Sequence, residues 1–321
     1  NVAVGRIGLE IKFIGYEDLI IPNILVGSGK EIVLELELRE SFIKMDEIVV
    51  TAQKKGEVLN EMAVISSRAF SVEETNRYAG SLQDPSRMVS AFAGVTGNPD
   101  GSNDIIVRGN SPRGVLWRLE GIEIPNPNHF ANEGATGGPI NAINSEILAN
   151  SDFYTGAFAP EYGDALAGVF DMHMRSGNNE KHEYSVGLGV IGTDIMAEGP
   201  FSHQYNGSYL VNYRYSSLAI LDNAGIVDFD GVPKYQDIGF KFLLPAGKLG
   251  AFSIFGLGGK SSIISTEEDM EGELTGEGDY DAYLGVVGLN YTYSFSDRTS
   301  MKATFSASGN GSRYEWNEPD T

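Results

Sequence analysis

The sequence predicts a mainly β chain: an α+β globule followed by the strands of an antiparallel transmembrane barrel, with part of a β-sandwich in front. Three observations predict it. Glycine supplies 40 of 321 residues, about 12% against ~7% in average proteins, and with 16 Phe and 15 Tyr this favours tight turns and sheets over helix bundles. Residues 94–177 consist of short apolar pairs that each end on a residue tolerating positive φ or enforcing a bend, which describes short strands joined by tight loops. From Lys181 onward the period-two alternation lengthens, and the connections between apolar segments become alternately short and long.

Charge and composition restrict function. With 23 Lys+Arg against 44 Asp+Glu the chain carries a net charge of −21, which opposes binding to a phosphate backbone. Nucleic acid is therefore excluded, and basic or cationic partners are favoured. Cysteine is absent, which removes disulfides and thiolate metal sites. No apolar run reaches the roughly 18 residues of a membrane helix. Alternation is already under way at Asn1, and the chain stops at Thr321 just after another such segment, so it is expected to be part of a longer precursor.

Residues 1–42 alternate. Ile7, Leu9, Ile11 and Phe13 share one face, and Ile32, Leu34, Leu36 and Leu38 share another, with Pro22-Asn23 and Gly27-Ser28-Gly29 as turns. They read as the last strands of a small β-sandwich. Residues 43–178 form the globule. It opens with the extended, β-branched segment Asp46-Glu47-Ile48-Val49-Val50-Thr51-Ala52, which equally suits an edge or linker strand. Helix signals follow: Ser71 ahead of Val72–Arg77, and Ser81 or Asp84-Pro85 opening a helix through Arg87-Met88-Val89 towards Gly94.

Residues 179–321 are the barrel segment. Tyr184, Val186, Leu188 and Val190 share a face, as do Tyr209, Val211, Tyr213 and Tyr215. Phe240, Phe242 and Leu244 follow, then Phe255 and Leu257, then the odd positions from Tyr283 to Phe295. Short connections are expected at Gly199–His203, Pro245–Lys248 and Asp297-Arg298, and long ones at Leu218–Pro233 and Ser265–Asp281. If the globule enters from the short-turn rim, two strands, about 182–191 and 193–199 and bent near Gly192, must precede the first short turn. Roughly seven strands result, far fewer than a closed transporter barrel needs.

Few motifs carry chemistry. Gly187-Leu188-Gly189-Val190-Ile191-Gly192 has dinucleotide spacing but no following helix, so its glycines read as strand glycines. Asp100-Gly101-Ser102-Asn103-Asp104 lacks the glycine and distal glutamate of a calcium loop and reads as a turn. His129, His173, His182 and His203 show no metal-ligand spacing. The acidic stretch from Glu267 to Asp281 reads as a solvated face, with loose cation binding as the lesser reading. No nucleophile–base pair stands out. Neither enzyme chemistry, a cofactor nor a metal is expected.

Taken together, Asp46–Ala52, Val107-Arg108-Gly109 with Arg113-Gly114, Glu120-Gly121-Ile122-Glu123-Ile124-Pro125, and Glu161-Tyr162-Gly163 with Gly168-Val169 resemble the plug domain of TonB-dependent outer-membrane receptors. Residues 1–42 are similar to the carboxypeptidase-regulatory-like sandwich that precedes the plug in one branch of the family. The resemblance implies a barrel of about 22 strands filled by the plug, in the bacterial outer membrane, with plug and N-terminal domain facing the periplasm. It implies that Asp46–Ala52 is a TonB box, pulled by the inner-membrane TonB complex, and that the protein imports an extracellular solute. Arg108, Gly109, Arg113, Gly114, Gly121, Tyr162, Gly163 and Gly168 are its plug-motif positions. In the family's commonest form an Asp stands where Glu120 does here. Arg108 and Arg175 are candidates for ion pairs with barrel carboxylates, and Asn126, Asn128, His129 and Phe130 for a substrate-facing loop. Two other roles fit the same residues: a plugged-barrel component of a secretion or signalling assembly with a surface lipoprotein or secretion partner, or a soluble β-rich interaction module.

Overall fold

The computed structural model describes residues 5–11, 19–26, 34, 36, 67–70, 75, 79–81, 84–97, 102–131, 137–189, 192–226, 231–268, 274–296 and 299–317. Asp46–Ala52, the short turn at Asp297-Arg298 and all but Thr75 of the helix expected over Val72–Arg77 lie outside them. Within residues 1–42, β1 (Gly5–Ile11) and β2 (Leu19–Val26) form an antiparallel pair.

The globule is built from short strands. They are β3 (Ser67–Phe70), β4 (Val95–Gly97), β5 (Ile105–Val107), β6 (Val115–Leu119), β7 (Ile122–Glu123), β8 (Asn128–His129), β9 (Ile140–Asn141), β10 (Ser151–Tyr154) and β11 (Gly168–Met172). Its main sheet has the order β3-β10-β11-β6-β7, in which β11 and β6 are parallel. Glu120 and Gly121 join β6 to β7 with φ of 55° and 88°. Positive φ at both central residues is what a two-residue hairpin turn of primed type demands. Helix α1 (Pro85–Val89) starts where Asp84-Pro85 predicts, with the Asp84 side chain accepting from the amide of Ser86, and it ends at Val89 instead of running on to Gly94. Trp117, Phe153 and Phe170 centre the apolar core on one side of the sheet. Tyr154, Tyr162 and Leu116 fill a second cluster on the other.

The wall is one antiparallel sheet in sequence order: β12 (Glu183–Leu188), β13 (Gly192–Ser202), β14 (Tyr205–Ser216), β15 (Lys234–Pro245), β16 (Ala251–Glu268), β17 (Leu274–Ser296) and β18 (Thr299–Asn317). Seven strands are thus present among the described residues. Helix α2 (Ser217–Asn223) occupies the long β14–β15 connection. The stretch Ser265–Asp281, expected as a long loop, is instead mostly paired strand, with ladder contacts reaching Glu268 and Leu274. Its register explains this. Glu277, Asp279 and Asp281 alternate with Gly276, Gly278 and Tyr280, so these carboxylates fall on one face, where Arg313 opposite Asp281 and Lys260 beside it offset part of their repulsion.

The sheet's two faces differ in chemistry. Cross-strand partners share a face, so Tyr184, Ala197, Val211, Phe240, Gly256, Val287 and Ala307 form one apolar row. That face is exposed, with Leu188 at 83% and Phe305 at 70%. The opposite face carries Asp194, Glu198, Asn212, Arg214, Asp237, Lys241 and Asn290 and turns toward the globule. Phe255 and Leu257 also belong to this inner face, buried against the globule core, and not to the aromatic outer band. Apolar outside and polar inside is the pattern of a membrane barrel and the reverse of a soluble sandwich. With 18, 23 and 19 residues, β16, β17 and β18 are about twice the ~10 residues that cross a bilayer, so they project beyond it. Among the described residues no helix is long and apolar enough to cross a membrane.

Candidate functional site

The contacts between globule and wall form three polar joints, ordered from the short-turn rim to the long-loop rim. At the first, the chain leaves β11 and Arg175 meets Glu198 of β13. Nη1 donates to Oε2 at 2.6 Å and Nη2 to Oε1 at 2.8 Å. The guanidinium Nε also donates to the carbonyl of Glu146, and the amide of Asn178 donates to Glu198 Oε2. This two-pronged geometry is the strongest ion pairing available to side chains. Beside it Gly177 presses onto the wall, where an added Cβ would lie 1.9 Å from the carbonyl oxygen of Tyr209.

The second joint grips the β6–β7 turn. Glu120 Oε1 accepts from the Met174 amide at 2.6 Å and from Lys241 Nζ at 3.1 Å, and Lys241 donates in turn to the Met174 carbonyl. Asn290 of β17 donates to the Glu120 backbone carbonyl. One carboxylate thus ties a hairpin tip, a neighbouring backbone and the wall together.

The third joint is formed by His129, Asp237 and Arg214. His129 Nε2 lies 3.0 Å from Asp237 Oδ2, and Arg214 donates to the same oxygen from Nε at 2.9 Å and Nη2 at 2.7 Å. Arg214 also donates to the carbonyl of Asn141 on β9. The imidazole is 1% exposed. Burial lowers its pKa below the usual 6.5, against the opposing pull of Asp237, so the ring is neutral and Nε2–H donates to the carboxylate. Room for it comes from Gly259, whose Cβ would stand 2.9 Å from His129 Cε1.

Behind this joint lies a buried amide network. Asp84 caps α1 and also accepts from Asn103 and Asn141, while Asn103 donates to Asn128 and Asn128 to Asn126. In the loop expected to face substrate, Asn126 and Phe130 are half-buried, whereas Asn128 and His129 are buried and bonded to the globule and the wall. Their polar groups are satisfied internally, as burial requires. Phe130, with φ of 56°, donates its amide to Ser261, and Tyr280 donates to the carbonyl of Ala131.

The remaining motif positions lie within the globule. Arg108 (φ 50°) and Gly109 (φ 76°) form the turn after β5, and the Arg108 guanidinium lies beside Gly156. Arg113 sits in a short turn capped by Ser111. Gly114 and Gly168 are close-packed, with an added Cβ 3.0 Å from Ala167 and 3.1 Å from the Tyr154 carbonyl, whereas Gly163 has open space. Tyr162 is buried and donates to Asp171 at 3.0 Å, under the Arg118 guanidinium. Sequence reasoning missed Glu198, Arg214, Asp237 and Lys241, whose signal was available: a charged residue at an inward position of a strand with an aromatic outer face points into a lumen.

Residues 55–169 match the family model described as TonB-dependent Receptor Plug Domain. Among curated proteins none matches the chain in sequence. Solved structures similar to it include the siderophore receptor PiuA from Acinetobacter baumannii, at 13% identity and TM-score 0.50 over 82% of this chain and 40% of that one. The siderophore receptor PirA from Pseudomonas aeruginosa is 13% identical, with TM-score 0.48 over 78% of this chain and 41% of that one. The outer membrane transporter YddB from Escherichia coli is 12% identical, with TM-score 0.48 over 75% of this chain and 38% of that one. The chain thus spans about two-fifths of the length of these structures. Residues 55–169 thus carry the plug domain found in TonB-dependent receptors, and it is anchored against a wall whose fold is that of their barrels.

Proposed function

We propose that the protein is an energised importer of the bacterial outer membrane, taking an extracellular solute through a plugged barrel with work supplied by TonB. The observation that carries this reading is the pairing of opposites across one sheet: an exposed apolar face outside, and inside a polar face holding a separate globule by Arg175–Glu198, Glu120–Lys241 and His129–Asp237. A plug held by a few charge-assisted joints is retained at rest and released by a directed pull. On this reading residues 1–42 end a periplasmic sandwich, 43–178 are the plug with its leash, and 179–321 begin the barrel, with the short-turn rim toward the periplasm.

The leash is Asp46–Ala52. Its β-branched residues suit addition as a strand to a sheet edge of TonB, where main-chain hydrogen bonds loaded in shear bear force. Binding of the detergent-purified receptor to the periplasmic domain of TonB tests this. Val49→Pro removes a main-chain donor and is expected to weaken that binding at least about tenfold, with heat-modifiable migration of the barrel unchanged. Equal binding by the variant would count against the assignment.

A further inference from the structure

Beyond the third joint the inner face of the wall changes character. Tyr280 and Tyr314 are direct cross-strand partners on β17 and β18, and Trp316 pairs with Gly278 one step further out. The Tyr280 hydroxyl reaches the Ala131 carbonyl of the plug at 2.8 Å, so these rings stand on the plug's side of the sheet, directly above its loop 126–131. Glycines shape how the rings lie. A Cβ on Gly276 would come 2.1 Å from the Trp316 ring, and one on Gly278 2.9 Å from the Tyr314 hydroxyl. Each ring therefore rests on bare backbone and presents its other face inward, with Tyr314 61% and Trp316 39% exposed.

The side chains described around the rings are neutral. Ser265, Ser312 and Asn310 share this face by register. From the Ser261–Ala282 pair outward, none of the side chains described on the inner face of β16–β18 is cationic: Arg313 and Lys260 fall on the outer face with Glu277, Asp279, Asp281 and Glu315, and Glu267, opposite Gly276, adds a carboxylate position to the inner one. An anionic chelate finds no cation here and meets the field of those carboxylates. A neutral sugar ring fits instead: its C–H face is weakly positive and packs on the negative face of an aromatic ring, while rim hydroxyls exchange hydrogen bonds with serine and asparagine. We propose that Trp316 and Tyr314, above the plug apex, are a binding platform for a neutral saccharide. This rests on the reading of the chain as a receptor filled from its long-loop side.

Calorimetric titration of the detergent-purified receptor with maltohexaose, cellohexaose, xylohexaose and mannohexaose tests it. At least one is expected to bind with Kd of about 1 mM or tighter, unaffected by raising salt from about 50 to about 500 mM because no charge is paired. Trp316→Ala is expected to weaken binding about tenfold and Trp316→Phe much less. Gly276→Val, which displaces the ring but keeps it, should behave like the alanine variant. Absence of binding by all four sugars, or binding indifferent to Trp316→Ala, overturns the proposal. Trp316-dependent binding of a ferric tris-catecholate in their place would overturn the saccharide and leave the receptor reading standing, whereas loss of the Val49-dependent TonB contact would strike the receptor reading alone.

Discussion

Arg175 and Glu198 face each other across the point where the plug becomes the barrel, joined by two hydrogen bonds of 2.6 and 2.8 Å. Only 22 residues separate them in sequence, and those residues turn the chain from the last plug strand through β12 into β13. The pair therefore sets the position of the plug's exit relative to the barrel wall, and Asn178 is held by the same carboxylate.

Truncating Glu198 leaves the Arg175 guanidinium, a quarter exposed, with backbone carbonyls but no carboxylate to offset its charge. Glu198→Ala is expected to destabilise the detergent-solubilised protein by about 2–3 kcal/mol in urea unfolding, the range for hydrogen bonds to charged groups. The double replacement Arg175→Met with Glu198→Met should cost less than the single truncation, because two apolar side chains leave no uncompensated charge. A double variant as destabilised as the sum of its singles would show that the two residues do not act as a pair.

His129 gives the plug contact a pH dependence of defined sign. Its folded-state pKa lies below the usual 6.5 because the ring is buried. The unfolded chain therefore binds a proton first as pH falls, and stability rises with pH wherever the unfolded state holds more protons. The contribution of this site is fully present above pH 6.5 and is lost progressively as pH falls below it toward the folded-state value. Unfolding free energies measured between about pH 7.5 and about pH 5 should show this loss in the parent protein and a flatter profile in His129→Gln, which keeps a donor for Asp237 without titrating. Parallel profiles would remove His129 as the source.

Two glycines separate steric need from motif membership. At Gly177 an added Cβ meets the Tyr209 carbonyl oxygen at 1.9 Å and its carbon at 2.6 Å; backbone atoms of a paired strand cannot step aside. Gly177→Ala should cost about 1–3 kcal/mol or more and lower the yield of folded, heat-modifiable protein. Gly163, expected from the sequence as a plug-motif position, has nothing within 4 Å of its Cβ position. Gly163→Ala is expected within about 0.5 kcal/mol of the parent, so any loss of transport in that variant would report function and not packing.

The sequence by itself determined the architecture, because the signals involved are local. Strand alternation, turn residues and the short–long rhythm of connections each reside in a few consecutive residues, and they placed the β12–β15 hairpins, the Asp84-Pro85 helix start and the outward aromatic face. Only the tertiary structure decided which polar residues meet. Asp237 and His129 are 108 positions apart, and Glu120 and Lys241 are 121 apart. Nothing near Asn128 or His129 announces that a wall strand will close over that loop and turn an expected substrate contact into an anchor. Likewise the acidic stretch from Glu277 to Asp281 looks like solvated loop until β16 and β18 supply partners whose register puts Glu277, Asp279 and Asp281 on one side. Pairing across a sheet depends on register and on what lies behind it, and both are properties of the assembled fold.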